Sequence, residues 1–565
     1  MKILYHAQIK KNQKITSKDI INILLKNRKI KNTKDFLNPP TPLNMSLSDF
    51  KLREMFKKAL KILKKIKQNN EMIVVYTDYD ADGITGGAIL WETLYLLGFK
   101  VMPYIPHRKH EGYGFSKKGI DNVKKKFNPK LIITVDHGIT ADEKIKYAKT
   151  LGISVIITDH HIKPKKLPKN AECIFHISEL SGAGVAYFFA KEIYQEFKKN
   201  SKISSNKLKM LDNNFKYDYL SLSAIGIVAD LIPLIGKSRS IVKHGSQAFK
   251  NVKRCGIKHI IDEAGIKKDI STYEIGFIIA PRINAVGRLG HAIDALRLLC
   301  TTNNNKAYEL AYQIGKTNIE RQNLVQKALK TAKKQVEKMK KLNKIIILKS
   351  NDWHEGIIGL IASKIMQEYY RPVIIMTQSN GFFKGSARSI TSFDITGFLK
   401  SMKKLLVDVG GHKQAAGFTI KKGSVQEFIK KAVKKANRQI SKKDLEKEIY
   451  ADIKIPLSKI TLSLTKSLEI LKPFGIANPK PLFYSKAQVL DVKIIGKKRN
   501  HIKIVAKDPD SKSYPIELVF FNSIDKFNEL TRREIINVVY SVEINRWNGK
   551  ETISFIIKYF YTEKL

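Results

Sequence analysis

Short apolar runs that end in acidic residues mark the first half of the chain. Runs of this length between polar breaks predict buried strands. Segments of helical length separate them, as between Ile84 and Leu97, which predicts an α/β fold with a mainly parallel sheet. The runs and the acids that follow them are 72–77 with Asp78, 131–135 with Asp136, 155–158 with Asp159, and 224–229 with Asp230.

The rest of the chain divides at changes in periodicity. Residues 306–341 contain almost no helix breakers and predict one long connector helix. Apolar runs at 344–348 and 372–376 predict a second α/β lobe, and alternating segments at 487–492 and 538–544 predict a small β-barrel. We therefore divide the chain into a helical lead-in (1–70), a parallel-sheet domain (71–235), a helical connector (236–342), a second α/β domain (343–425), and a linker helix with a barrel (426–565).

The acids at the strand ends predict a divalent metal site. Parallel strands bring their carboxyl ends to one edge of a sheet, where active sites of such folds lie. The run from Asp78 to Gly83 contains three carboxylates, and Asp159 is followed by two histidines. An isolated run of this kind could be a solvated turn, but four acidic strand ends together argue against that. Oxygen ligands mixed with imidazole favour manganese or magnesium over zinc.

Charge and cysteine content narrow the class of protein. Lys and Arg total 103 against 51 Asp and Glu, a formal net charge of +52, which favours a polyanionic partner such as nucleic acid. A coding bias towards Lys, Ile and Asn is an alternative explanation, and charge alone does not separate DNA from RNA. The three cysteines are widely spaced, so we expect no zinc ribbon or disulfide framework and a reduced, cytoplasmic location. No apolar run approaches ~20 residues, so we expect no membrane partner.

The motifs resemble those of the DHH phosphoesterase superfamily and, within it, the RecJ family of exonucleases. The resemblance extends into the second half of the chain and spans nearly all of it, weakest at the amino end. Its motifs here are Asp80-Ala81-Asp82, Ile105-Pro106-His107-Arg108, Val135-Asp136, Asp159-His160-His161, Val228-Ala229-Asp230, Pro281-Arg282-Ile283-Asn284, Gly287-Arg288-Leu289-Gly290, Lys384-Gly385-Ser386-Ala387-Arg388 and Gly410-Gly411-His412.

The resemblance implies a fold and a set of roles. The fold is a DHH domain, a connector helix, a DHH-associated domain and an OB-like barrel. Two Mn²⁺ or Mg²⁺ ions are implied, with Asp136 bridging both, Asp80 binding one, and Asp82, His160 and Asp230 binding the other. Asp136, His160 and His161 are the implied catalytic residues, His161 facing the substrate, while Asp78 and Asp159 support the ligands. The candidate nucleic-acid-binding residues are Arg108, Arg282, Asn284, Ser386, Arg388, His412 and Trp547.

The implied activity is 5′→3′ hydrolysis of single-stranded DNA in repair and recombination, with a single-strand-binding protein and a helicase as candidate partners. One alternative is a DHH phosphodiesterase of short oligonucleotides or cyclic dinucleotides, which the long terminal domain disfavours. Another is a non-catalytic single-strand-binding scaffold, which the retained acids and histidines disfavour.

Three departures from the family pattern affect these expectations. Tyr76 stands where the phosphatase-like branch has a histidine ligand, so one metal is expected to have fewer protein ligands. Thr77 stands where the nuclease motif commonly has glycine, which leaves the backbone before Asp78 open to question. The segment 173–178 is shorter than usual, so the contribution of its loop is open as well.

Overall fold

The computed structural model describes residues 2–108, 111–112, 114–199, 203–509, 513–530 and 534–562. Its α-helices are α1 (Ser17–Asn27), α2 (Thr33–Leu37), α3 (Arg53–Gln68), α4 (Ala81–Leu96), α5 (Lys117–Phe127), α6 (Asp142–Thr150), α7 (Gly182–Phe197), α8 (Ser205–Asn213), α9 (Tyr219–Ala229), α10 (Gly236–Ala248), α11 (Cys255–Glu263), α12 (Thr272–Glu274), α13 (Ala280–Leu289), α14 (Ile293–Cys300), α15 (Asn304–Glu337), α16 (Ile358–Tyr369), α17 (Ile395–Lys400), α18 (Val425–Gln439) and α19 (Leu462–Ser467).

Its strands are β1 (Lys2–Gln8), β2 (Ile73–Thr77), β3 (Val101–Tyr104), β4 (Leu131–Val135), β5 (Ser154–Asp159), β6 (Cys173–His176), β7 (Ile346–Ser350), β8 (Val373–Ser379), β9 (Phe382–Arg388), β10 (Leu406–His412), β11 (Ala415–Lys421), β12 (Glu448–Lys454), β13 (Phe483–Ile495), β14 (His501–Lys507), β15 (Ile516–Phe520), β16 (Ile535–Trp547) and β17 (Lys550–Thr562). Within the described residues, no helix combines the length and the apolar character needed to cross a membrane.

The first domain is built on a parallel sheet with strand order β3-β2-β4-β5-β6. Strands β2 and β4 are buried along their whole length, as expected for a sheet covered by helices on both faces. The three predicted strands that end in Asp78, Asp136 and Asp159 are therefore confirmed.

The fourth predicted strand is wrong. Residues 224–229 belong to helix α9, and Asp230 caps its carboxyl end, with its N–H donating to the Gly226 carbonyl over 2.9 Å. Nearly all of α9 is buried, so its apolar residues occur all round the helix and show no helical periodicity. An apolar run of this kind cannot be distinguished from a buried strand by its pattern.

The predicted connector helix is confirmed as α15, whose 34 residues include a buried face with Val325, Leu329, Ala332 and Val336. It leads into the second lobe, a five-stranded sheet of order β10-β11-β9-β8-β7. Helix α18 packs its apolar face on the core of this sheet. This lobe therefore extends beyond the boundary predicted at residue 425.

The carboxyl-terminal strands form a closed five-stranded barrel. Its order is β13-β14-β15-β17-β16, and antiparallel pairing of β13 with β16 closes it. Strands β15 and β17 run parallel, whereas the other neighbours in the barrel are antiparallel. This topology agrees with the OB-like barrel expected from the sequence.

The amino-terminal segment differs from the predicted helical lead-in, because it begins with a strand that joins the carboxyl-terminal sheet. Strand β1 pairs in parallel with β12, from Lys2 opposite Glu448 to Gln8 opposite Lys454. Residues of α1 lie in the barrel core. Arg239 of α10, fully buried, donates hydrogen bonds of 2.6–3.1 Å to the carbonyls of Phe36, Leu471, Lys472 and Pro473. Helix α10, which follows the first domain, thus meets the amino-terminal segment and the barrel domain at one side chain.

Candidate metal centre

The loop from β2 to α4 places three carboxylates at the edge of the parallel sheet. Asp80 is the N-cap of α4, and its Oδ1 accepts hydrogen bonds from the N–H groups of Asp82 and Gly83 at 3.0 and 3.1 Å. Asp82 is buried, and its two oxygens accept from the N–H groups of Gly182 and Ala183, at the start of α7. Asp78 is also buried. The hydrogen bonds to Asp80 and Asp82 fix these two side chains before any ligand binds.

Asp136 follows β4 in a left-handed backbone conformation, with φ of +68°. Its neighbour across the site is Gly182, where an added Cβ would lie 2.4 Å from the Asp136 Cβ. The glycine therefore lets the amino terminus of α7 approach this side chain closely.

His160 lies between acids from three different segments. Its Nε2 lies 3.1 Å from Asp136 Oδ1, 3.4 Å from Asp230 Oδ2 and 3.8 Å from Asp82 Oδ2. The side chains form three groups, and within each group one ligand atom from every residue lies within 4.8 Å of the others. The groups are Asp82, His160 and Asp230; Asp78, Asp80 and Asp136; and Asp136, His160 and His161. All five residues predicted as metal ligands are thus brought together.

The electrostatics of this cluster fit a cation. Burial, together with repulsion from Asp82, Asp80, Asp78 and Asp230, raises the pKa of Asp136 well above its ordinary value. Burial and neighbouring acids also raise the pKa values of Asp78, Asp80 and Asp230, that of Asp230 to about 8. Asp136 Oδ1 and His160 Nε2 are buried without a hydrogen-bond partner. Carboxylate oxygens with one imidazole are ligands suited to manganese or magnesium.

His161 differs from His160 because it has a dedicated acidic partner. Its Nδ1 lies 2.8 Å from Asp159 Oδ1, and its side chain is 30% exposed. Burial opposes the charged imidazole, but the hydrogen bond and charge of Asp159 outweigh it and raise the pKa of His161 to about 9. Asp159 also accepts from the N–H of Ile139 over 2.9 Å.

The departures from the family pattern have structural explanations. The Tyr76 ring packs in the core against Tyr104, Phe115 and His137, so it contributes no ligand. Thr77 continues β2 opposite Val135. In the short segment at 173–178, His176 Nε2 donates to the His161 carbonyl over 2.7 Å, which ties this segment to the two histidines.

Arg108 and Arg288 lie near the acidic cluster, and Arg388 of the second lobe lies near Arg288. Arg388 Nη1 lies 3.3 Å from Ser386 Oγ, and both line the position of Gly359 at the start of α16. Arg108 stacks over the Tyr79 ring at 5.1 Å. Arg288, for which the sequence predicted no role of its own, donates to the Gly356 carbonyl of the second lobe over 3.2 Å. Burial and the charges of Arg108 and Arg321 lower its pKa to about 10, against the opposing effect of Asp80.

The remaining nucleic-acid-binding candidates lie in different surroundings. Asn284 Oδ1 accepts the Ala81 N–H at 2.8 Å and so holds the loop that carries Asp80. Arg282 is paired with Glu263, Nε to Oε2, over 2.6 Å. His412 is exposed on β10, and Trp547 is 74% exposed at the tip of the β16–β17 hairpin. The binding roles of all seven candidates, including Arg108, Ser386 and Arg388, stay predictions.

Comparison with known families matches all three sheet-containing units. The model of the DHH family, N-terminal domain, matches residues 72–227. The DHHA1 domain matches residues 342–442, and the RecJ OB domain matches residues 451–559.

Known proteins match the chain over most of its length. A single-stranded-DNA-specific exonuclease RecJ from Bacillus subtilis (strain 168) is 33% identical over 521 residues, covering 90% of this chain and 63% of that relative. The structure of RecJ in complex with Mn²⁺ from Thermus thermophilus has a TM-score of 0.81 at 25% identity, covering 100% of this chain and 80% of that one. A structure of exonuclease RecJ bound to manganese is 31% identical, with a TM-score of 0.59, covering 72% of this chain and 100% of that one.

Proposed function

Because the chain belongs to the RecJ family, we propose that it hydrolyses the phosphodiester bonds of single-stranded DNA from the 5′ end, in DNA repair and recombination. The observation that carries the proposal is the convergence of Asp80, Asp82, Asp136, His160 and Asp230 at one edge of the parallel sheet. The chain spans 63% of the length of its Bacillus subtilis relative. The proposal therefore depends on the site residues of this chain as well as on its family.

The acidic cluster would hold two Mn²⁺ or Mg²⁺ ions. When bound, such ions supply a nucleophilic water near neutral pH and offset the charge on the leaving oxygen. Asp136 belongs to two of the three ligand groups, which supports a position shared by both ions. Asp82, His160 and Asp230 would hold one ion, and Asp80 the other. Asp78 offers an oxygen to the same group as Asp80, so it can replace the ligand that Tyr76 does not provide.

His161 would act on the substrate. In the metal-free protein its pKa is about 9, so its imidazole is charged there at neutral pH. Asp159 engages the Nδ1 hydrogen, so Nε2 carries a second hydrogen that can be donated to a phosphate oxygen or to the leaving oxygen. Asp159 thereby fixes the orientation of the donor.

The arginines would bind the phosphate groups of the strand. A guanidinium can hold two phosphate oxygens at once. Arg108 and Arg288 come from separate segments near the acids, and Arg388 of the second lobe lies near Arg288. Ser386 adds a hydroxyl beside Arg388. Arg288 also contacts Gly356 of the second lobe. Its position at the phosphate site would therefore depend on the distance between the two lobes.

An assay with labelled strands tests the proposal. Single-stranded and duplex DNA, labelled at the 5′ or 3′ end, would be incubated with the purified protein with and without Mn²⁺. We expect metal-dependent shortening of the single strand from its 5′ end and an intact duplex. Asp136→Ala should abolish hydrolysis and retain strand binding, while Asp269→Ala, a change at an exposed acid paired with Lys250, should behave as the unaltered protein does. Cleavage of dinucleotides alone would instead favour the oligonucleotide phosphodiesterase.

We also propose cytoplasmic action together with a helicase and a single-strand-binding protein. An enzyme that hydrolyses only unpaired strands needs a helicase to supply them from a duplex. The expected result is that duplex DNA is degraded only when a helicase and ATP are added. Degradation of the duplex without the helicase would contradict the proposal.

A further inference from the structure

A continuous helical rod runs from the barrel domain to the metal centre. It consists of α12, the π-helical turn Ile275–Ile279 and α13. At its start, the Thr272 hydroxyl donates to the Phe474 carbonyl over 2.8 Å, which fixes it to the barrel domain. Towards its end, Asn284 holds the loop before α4 and Arg288 lies beside Asp80.

Two exposed aromatic residues lie on this rod. Tyr273 and Phe277 are 57% and 73% exposed, and their rings stack with centroids 5.0 Å apart and an interplanar angle of 29°. Phe277 and Asn284 are seven residues apart, which is ~10 Å along the axis of the rod. The ring pair therefore lies a short distance along the rod from the residue that holds the loop carrying Asp80.

Residues next to the Tyr273–Phe277 ring pair lie near Asp230 of the metal centre. An added Cβ on Gly276 would lie 3.3 Å from Val228 Cγ1, two residues before Asp230. Leu231, directly after Asp230, is 66% exposed. The ammonium group of Lys268 lies 5.6 Å from the centre of the Tyr273 ring. Its charge is paired with that of Glu274, Nζ to Oε1, over 2.8 Å. Exposed rings near a site for a polyanion have the chemistry of a base-stacking surface.

We propose that Tyr273 and Phe277 form a stacking platform for the bases of the single strand, a few nucleotides from the scissile phosphate. This inference rests on the proposed function and adds the residues that select an unpaired strand. Bases within a duplex are stacked on one another and cannot place their faces on a protein ring, whereas unpaired bases can. The platform thereby favours single strands independently of sequence.

The test combines ring removal with base removal. Binding of oligonucleotides is measured in EDTA, so that the strand is not cut, and one abasic position is moved stepwise from the 5′ end. Phe277→Ala should weaken binding of the intact strand by about 5- to 30-fold, the effect of losing one base–ring contact. An abasic position at the platform should weaken binding to the unaltered protein similarly but leave binding to Phe277→Ala nearly unchanged.

Two further variants separate stacking from packing. Phe277→Trp should keep the affinity, because it retains a ring, and Phe277→Leu should lose it despite a similar apolar volume. Tyr308→Ala is the matched control, since Tyr308 is 62% exposed but contacts His259 of α11. Under Mn²⁺, Phe277→Ala should raise KM for long strands and leave kcat within about twofold.

Several results would overturn the inference: Phe277→Leu as effective as phenylalanine, the same loss in Tyr308→Ala, or an abasic effect equal in both proteins. Self-association that Phe277→Ala abolishes would assign the rings to a second copy of the chain instead. The EDTA measurement does not depend on hydrolysis. A protein that binds by stacking but never cleaves would therefore contradict the proposed function alone.

Discussion

Replacing Asp136 by asparagine should stabilise the protein without metal and destabilise it with metal. Asp136 is buried among four other carboxylates, and their repulsion together with burial raises its pKa. Asparagine removes one charge and keeps nearly the same shape. It also tolerates the left-handed backbone conformation that φ of +68° requires here. The change therefore tests electrostatics with little change in packing.

The size of the effect follows from the distances. The ligand atoms of Asp136 lie within 4.8 Å of those of Asp78 and Asp80. Two unit charges at that separation repel by about 3 kcal/mol at an effective dielectric constant of ~20. Because the cluster takes up protons and relieves part of this repulsion, we expect the metal-free variant to be more stable by about 1–3 kcal/mol. That corresponds to roughly 2–4 °C per kcal/mol for a domain of ~200 residues.

Metal should reverse the order. At a Mn²⁺ concentration 100 times its Kd, each bound ion stabilises the folded unaltered protein by about 2.7 kcal/mol. Two ions therefore contribute about 5 kcal/mol, which exceeds the advantage of the variant without metal. The variant lacks the shared carboxylate and should gain little.

The assay is thermal unfolding of both proteins in EDTA and across a Mn²⁺ titration, with Asp269→Asn as a control at an exposed acid. A variant less stable than the unaltered protein in EDTA would refute the repulsion argument. Equal stabilisation of both by Mn²⁺ would show that the ions bind elsewhere.

Three further predictions concern pH, a close contact and a buried cation. Burial and the charges of Asp82 and Asp80 raise the pKa of Asp230 from 3.8 to about 8, so its contribution to stability is present below pH ~4 and lost as the pH rises to ~8. The melting temperature in EDTA should fall over that range, and saturating Mn²⁺ should reduce the fall. Gly226→Ala should cut kcat by at least ~10-fold in a folded protein, because its Cβ would lie 2.3 Å from Asp82 Oδ1; unchanged kinetics would contradict this. Arg239→Ala should destabilise the protein by about 3–5 kcal/mol in urea unfolding, since four backbone carbonyls lose their donor, and a loss below ~1 kcal/mol would refute that role.

Much of the fold could be predicted because the relevant signals are local. Strands β2 and β4 are buried on both faces and therefore appear as continuous apolar runs. Parallel strands bring their carboxyl ends to one edge of the sheet. The acids that occur there, Asp78, Asp136 and Asp159, could therefore be predicted to lie close together. The long helix α15 was visible because its buried face repeats at helical spacing.

The features that escaped prediction depend on distant parts of the chain. Helix α9 is buried all round, so its composition resembles that of a strand. Pairing of β1 with β12 joins residues far apart in sequence, which no local pattern reports. Arg288 lies in the motif Gly287-Arg288-Leu289-Gly290, but its role becomes evident only from its position beside Asp80 and Gly356. Arg282, which the sequence predicted to bind nucleic acid, forms an ion pair with Glu263.

The pairing of Lys2 with Glu448 has a consequence for protein synthesis. At about 5–20 residues per second, the ribosome needs roughly 20–90 s to make the segment that separates them. During that time β1 and the apolar side of α1 have no partner, while the parallel-sheet domain can already fold. The nascent chain therefore carries an unpaired strand through most of translation, and binding of that strand by a chaperone would protect it until the barrel emerges.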